Sequence, residues 1–291
     1  VRIIEAGTTR RGILAAGLAF SLPAQAAPAR PVSKRPSRVI SLFPCIDAIL
    51  LRVANPHQIA GLSNLSHEPE VSSVAADALP YPRVRDDAES LLAYRPDLVV
   101  VSRYTASPTL RALRRAGVQA LVIDPQLSAA ESLDQVRRVA KAVGYPERGD
   151  ALAARITGAL ERAAPRNAAR PGVLVFQTGG FVAGTHTLID DMLNRTGFSN
   201  LAPRYGVRDF GDVALEKLVK DPPQLLLAGV PRAGQPGWGE RVLRHPALLA
   251  LKGRTRIEPF PQSLLLCGGP VLLQTAPKLA AIHARLTGGD A

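Results

Sequence analysis

The side chains able to do chemistry fall in short segments, each just after an apolar run. They are Phe43-Pro44-Cys45, Ser63-Asn64-Leu65-Ser66-His67, Ser102-Arg103-Tyr104, Gln177-Thr178-Gly179-Gly180-Phe181, Val230-Pro231-Arg232 and Cys267-Gly268-Gly269-Pro270. Small residues, hydroxyls, arginines and a few aromatics suit a cleft that holds a small molecule by polar contacts. Arg103-Tyr104 sets a bidentate donor for an anionic or metal-chelate ligand beside a ring that can stack or ligate. The same pair reads equally well as loop residues at a sheet edge. Tyr205 and Arg232 are candidates on the same logic. Trp238 could lie over a flat ligand or anchor its Gly/Pro-rich loop. Cys45 and Cys267 follow one strand in each half. They could pair across a cleft or ligate a soft metal. The reading leans to two separate buried small hydrophobes, because a bridge across a cleft hinders ligand exchange.

Of the histidines at 57, 67, 186, 245 and 283, only His67 is placed near such a cleft. No spacing assembles a bare metal site, and no cofactor is expected. There is no Gly-x-Ser-x-Gly elbow, no Walker loop and no Gly-x-Gly-x-x-Gly after a strand. The chain is therefore not read as an enzyme; an extracytoplasmic hydrolase is the alternative in that class. Composition narrows the classes further. The chain has 291 residues, 46% apolar and 21% charged, with a formal net charge of +12. That excludes general disorder. No run approaches the roughly 20 apolar residues that span a bilayer. The basic excess is scattered arginine and aromatics are only 4%, which argues against nucleic acid as a partner and leaves an anionic ligand open.

Residues 1–26 read as a secretory signal peptide. Arg10-Arg11 is the basic region, Gly12 to Leu22 the apolar one, and Ala24-Gln25-Ala26 a small-x-small cleavage site. Thr9-Arg10-Arg11-Gly12-Ile13-Leu14 also resembles a twin-arginine signal, with Sec export equally open. Residues 27–37 read as a flexible leader. Residues 38–127 alternate strands near 39–42, 59–62, 98–101 and 120–123 with helices. Asp86 or Asp87 caps one helix, and Ser107-Pro108 opens another as cap and first-turn proline. Residues 128–168 are helical throughout, opened by the capping box Ser128-Ala-Ala-Glu131 and interrupted at Gly144-Tyr145-Pro146. Residues 169–291 resume the alternation, with strands near 173–176, 225–227 and 256–259. Continuous Val/Leu/Ile runs argue for buried parallel sheet. The expected layout is α/β, two α/β halves separated by a long helix. One unit occurs in each half. In Glu89-Ser-Leu91-Leu-Ala-Tyr-Arg-Pro96-Asp-Leu98 and Glu216-Lys-Leu218-Val-Lys-Asp-Pro-Pro223-Gln-Leu225, Leu, Pro and Leu follow Glu at the same spacings and a strand begins.

Arg38-Val-Ile-Ser-Leu, the Glu-x-Leu-x4-Pro-Asp-Leu-Val-Val unit, the long middle helix and the second Glu unit resemble the periplasmic binding proteins of ABC importers for vitamin B12, iron siderophores and haem. The resemblance covers about residues 38–286. It implies two Rossmann-like α/β lobes joined by a single long helix, with a ligand cleft between the lobes. It implies a monomer in the periplasm that binds an iron chelate or corrinoid and delivers it to an ABC permease and ATPase complex in the inner membrane. A sensing or scavenging protein of the same fold without its own permease is the alternative. The resemblance also gives Glu89 and Glu216 a role, each docking onto permease arginines from the exposed top of its lobe. Against this, a glutamate in a first helical turn also favours the helix dipole. The ligand-binding residues expected are Phe43, Pro44, Cys45, Asn64, His67, Arg103, Tyr104, Thr178, Gly179, Tyr205, Arg232, Trp238, Cys267 and Gly268.

Overall fold

The computed structural model describes residues 35–230, 238–251 and 253–288. In the first half, β1 (Val39–Ser41), β2 (Ile59–Ser63), β3 (Arg83–Val84), β4 (Leu98–Ser102) and β5 (Gln119–Ile123) form a sheet in the order β3-β2-β1-β4-β5. Every pairing in it is parallel, as unbroken runs such as Leu98-Val-Val-Val require when both faces are covered. Its helices are α1 (Pro44–Val53), α2 (Ala75–Ala78), α3 (Ala88–Ala93) and α4 (Ser107–Arg115). Asp87 caps α3, its Oδ1 accepting the Ser90 N–H at 2.8 Å. Ser107 is the first residue of α4 rather than its cap, which falls to Ala106.

The second half contains β6 (Gly172–Phe176), β7 (Phe181–Ala183), β8 (Ser199–Asn200), β9 (Phe210–Asp212), β10 (Leu225–Ala228) and β11 (Arg256–Pro259). The order is β11-β10-β6-β7-β9, with β8 also on β6. Here β7 is antiparallel to both β6 and β9, while β6, β8, β10 and β11 pair in parallel. The repeated sequence unit is one structural unit used twice. In the first sheet α3 turns into β4, between β1 and the edge strand β5. In the second, α8 (Leu215–Lys220) turns into β10.

Between the sheets the expected single long helix is corrected to two helices, α5 (Ala129–Ala142) and α6 (Pro146–Arg162). The break is local chemistry. Gly144 takes φ +87°, and the Tyr145 N–H donates back to the Ala140 carbonyl at 2.9 Å. This is a glycine helix stop, followed by Pro146 in the first turn of the next helix. After it α6 folds back on α5: the Arg137 guanidinium meets Asp150 at 3.3 Å, and Gly149 lies against Ala140. At the start of α5 the Ser128 hydroxyl accepts the Glu131 N–H, and the Glu131 carboxylate accepts the Leu127 N–H at 2.8 Å. Arg148 on α6 lies over the Tyr145 ring, 4.0 Å from its centroid. It also caps the end of α1, donating to the Val53 and Ala54 carbonyls at 3.1 and 3.2 Å.

The remaining helices are α7 (Leu188–Arg195), α9 (Trp238–Leu243), α10 (Pro246–Leu249) and α11 (Leu272–Thr287). One apolar core runs through both halves. It joins Val39 and Val100 of the first sheet to Val175 and Leu227 of the second through Ile49 of α1, Val136 of α5, Ile156 of α6 and Leu279 of α11.

Two features of this core carry predictions. Cys45 at the start of α1 and Cys267 before α11 form a disulfide, with Cα atoms 5.0 Å apart. The reading as two separate thiols is thus corrected: the loops carrying them converge, and the oxidised pair offers no thiolate to a metal. Closing a loop of 222 residues restricts the unfolded chain by up to roughly 5 kcal/mol. Replacing both cysteines by serine should lower Tm by roughly 5–15 °C, read in a thermal melt. The second feature is Asp47 on α1, fully buried. Burial pushes its carboxyl up to about 6, although the hydroxyls of Ser41, Ser63 and Ser66 and the Ser63 N–H favour the charged form. In the unfolded chain the group ionises near 3.8. Unfolding therefore releases a proton between these values, and stability should fall by about 3 kcal/mol as pH rises from roughly 4 to 6, then level off. Denaturant titrations of the wild type should show that slope, and Asp47→Asn should lack it.

Candidate functional site

Five segments that follow strands or open helices converge on one cavity of about 190 Å³. The first half contributes Phe43, after β1, and Pro125 to Leu127, after β5. From the second half come Gln177, after β6, Phe181 on β7 and Phe210 on β9, with further residues from the start of α7 and the segment after β11. A cavity at the carboxyl ends of parallel strands is where open α/β sheets bind ligands. Its wall is mainly apolar, and among the described residues no charged side chain lines it.

The rings of Phe181 and Phe210 form its flattest surface. Their centroids are 5.7 Å apart and their planes 16° from parallel. The antiparallel pairing of β7 with β9, Phe181 opposite Asp212 and Ala183 opposite Phe210, holds them side by side. Phe210 is 57% exposed, so the pair is an open platform rather than core. The turn before it is tight: the Gln177 N–H donates to the Phe181 carbonyl at 2.8 Å and the Gly180 N–H to the Gln177 carbonyl at 3.0 Å.

Of the expected site residues, Phe43 and Cys45 line this cavity. Pro44 is buried in the first turn of α1. Cys267 is the disulfide partner beneath the cleft. Gly268 approaches Ser132 of α5 so closely that a Cβ would collide with its side chain; it serves the contact between halves. Thr178 and Gly179 form the turn between Gln177 and Phe181, which themselves face the cavity. Asn64 is exposed. Arg103 sits outside the lining and pairs with Asp124 at 3.2 Å, both exposed. Tyr104 beside it is 77% exposed. Arg232 lies outside the described residues, as does the side chain of Trp238, although its backbone opens α9.

Two expectations are corrected. His67 is buried, its Nδ1 lying 3.2 Å from the Ser63 carbonyl and its Nε2 3.0 Å from that of Tyr81. Both ring nitrogens face backbone carbonyls, and the one that carries the hydrogen donates to its carbonyl, so the ring serves the segment after β2 and lies outside the cavity lining. Tyr205 is also buried, and its hydroxyl donates to the Asp221 carbonyl at 2.6 Å. Lining residues missing from the expected set include Gln126, Leu127, Gln177, Phe181, Phe210 and Gln262. Gln177 and Phe181 stand in a post-strand segment, which is signal enough to find them. Phe210 carries none, because its three-residue strand is too short to show a period.

A family model described as periplasmic binding protein matches residues 39–253. No curated protein matches. Among solved structures, the chain is similar to the apo form of the periplasmic heme-binding protein RhuT from Roseiflexus sp. RS-1. Identity is 26%, 84% of this chain and 97% of that one are covered, and the TM-score is 0.69. It shares its fold with a periplasmic heme binding protein from Pseudomonas aeruginosa, at 23% identity, 85% and 92% coverage and TM-score 0.68. The periplasmic vitamin B12 binding protein BtuF of Vibrio cholerae matches at 16% identity, 88% and 99% coverage and TM-score 0.66.

The corrected roles predict the behaviour of two variants. His67→Leu should lose about 1–3 kcal/mol of stability by stranding a buried carbonyl, and Tyr205→Phe about 1 kcal/mol, both read by urea unfolding. Neither should change affinity for a cleft ligand by more than about twofold.

Proposed function

Because this chain belongs to the periplasmic binding protein family, we propose that it is an extracytoplasmic solute-binding protein. It captures an iron chelate or a corrinoid in the cleft and hands it to an ABC importer, binding without turnover. The observation that carries the reading is the apolar cavity at the strand ends of both sheets, with the Phe181–Phe210 platform on one wall. Such a wall suits a large flat ligand, since aromatic rings stack in offset parallel geometry. The names of the similar structures, haem and vitamin B12 binders, support the same range. Export rests on the reading of residues 1–26, which lie outside the described residues.

Delivery needs a docking surface. Glu89 stands in the first turn of α3 and Glu216 in the first turn of α8, the corresponding place in the second half. Both are exposed. We assign them to the importer, one carboxylate per half on a two-fold permease. Salt-bridge register of this kind governs encounter and orientation more than ligand affinity.

The direct test is a thermal-melt panel of the purified protein with cobalamin, dicyanocobinamide, haem and ferric siderophores. A ligand at a hundred times its Kd should stabilise by about 2.7 kcal/mol and raise Tm by several degrees. No rise with any of them refutes the reading. Phe181→Ala and Phe210→Ala should each weaken the active ligand about tenfold or more with little change in the ligand-free Tm. The double variant Glu89→Arg, Glu216→Arg should bind ligand normally and abolish uptake in cells; lost ligand affinity would contradict the docking assignment.

A further inference from the structure

We infer that Gln177 and Gln126 are specificity-determining residues, and that they select a solute whose edge carries neutral primary carboxamides. The inference rests on the solute-binding reading and narrows its ligand range from chelates in general to corrinoids.

Gln177 is 4% exposed, lines the cleft, and has no hydrogen-bond partner at either Oε1 or Nε2. Its position is fixed from both sides. The tight turn to Phe181 holds its backbone, and its carboxamide packs over Gly229, where an added Cβ would lie 3.1 Å from Oε1. A buried amide with neither donor nor acceptor satisfied is rare, because desolvation is uncompensated. In a binding site, the missing partner is the ligand. Gln126 stands on the first-half wall of the same cavity. Its Oε1 accepts the Gly268 N–H at 3.4 Å, which orients the group, while its buried Nε2 is left without an acceptor.

The polarity of the wall decides which ligand completes these groups. The Gln177 carboxamide carries an unpaired donor and an unpaired acceptor side by side. A primary carboxamide answers both with two antiparallel N–H···O bonds. A carboxylate accepts from Nε2 but leaves Oε1 unpaired and brings a charge to a wall where no described residue is cationic. Burying an unpaired charge is far costlier than burying an amide. Of the two expected cations, Arg103 is already paired with Asp124 outside the lining, and Arg232 lies outside the described residues. Haem carries carboxylates on its edge, and a ferric tris-catecholate is an anion throughout. The corrin ring carries acetamide and propionamide groups.

The test compares two corrinoids with one ring. Dicyanocobinamide keeps the amides; dicyanocobyrinic acid has carboxylates in their place. Titrated by visible absorbance into the purified protein, the amide form should bind at least tenfold tighter than the acid and tighter than haem. Gln177→Leu should collapse that ratio to within about threefold by weakening only the amide form. It should also leave the ligand-free Tm unchanged or raised, because an orphaned polar group is removed; a merely structural glutamine would instead lower Tm and leave the ratio alone. Gln126→Leu should reduce the ratio in the same direction. Equal binding of both corrinoids, or a ratio indifferent to Gln177→Leu, overturns the inference and leaves the solute-binding reading intact. Binding of no corrinoid, haem or ferric siderophore overturns both.

Discussion

The structure depends on the junction between its two sheets. Ile49, Val136, Ile156 and Leu279, from four different helices, share one core with strands of both halves. Backbone-to-side-chain hydrogen bonds reinforce it, the Ala129 N–H donating to the Asp191 carboxylate at 2.7 Å and the Gly269 N–H to the Ser132 hydroxyl. The Cys45–Cys267 disulfide crosses the same junction on the cleft side, within a small apolar cluster with Ala48, Val74 and Val271. Close-packed interiors resist small displacements. The two walls of the cavity are therefore held at a set spacing, and a ligand meets a site that is largely formed before it arrives. Preorganisation of this sort lowers the entropic cost of binding.

Given that spacing, the wall chemistry sets what fits. The platform of Phe181 and Phe210 offers flat apolar area, and the glutamines offer neutral hydrogen-bonding groups. Charge is kept elsewhere, in pairs such as Arg103 with Asp124 and Arg204 with Asp221. The net positive charge of the chain has no contributor in the cavity lining among the described residues. It says little about the ligand, although arginine content taken alone points toward an anion.

Much of the fold is legible in the sequence, because the parallel strands are continuous apolar runs. Leu98-Val-Val-Val and Leu225-Leu-Leu can be little else, and the Glu-x-Leu-x4-Pro unit announces itself by repetition. The break at Gly144-Tyr145-Pro146 is visible too, but the fold-back of α6 on α5 is not, since it depends on Gly149 meeting Ala140 across the pair. Strands β7 and β9 leave no trace, each being three residues of an antiparallel edge. The site is less legible for the same reason. Post-strand position finds Phe43, Cys45 and the 177–181 segment, whereas Phe210 comes from one of those silent strands. Residue type also misleads. His67 and Tyr205 look like ligands, yet each spends its polar atoms on backbone carbonyls. In the sequence alone, ligand exchange argues against a bridge between the two cysteines. That objection assumes a bridge across the mouth, whereas Cys45 and Cys267 are buried at 2% and 5% exposure, with Cys45 in the cavity wall.

The measurement that tests this account most directly is a crystal structure of the protein with its tightest-binding solute. The account predicts one molecule seated against Phe181 and Phe210, Gln177 bonded to it, the disulfide intact, and the two sheets within about 1 Å of their spacing here. A solute bound on another face, or reached only by wide separation of the two halves, would contradict it.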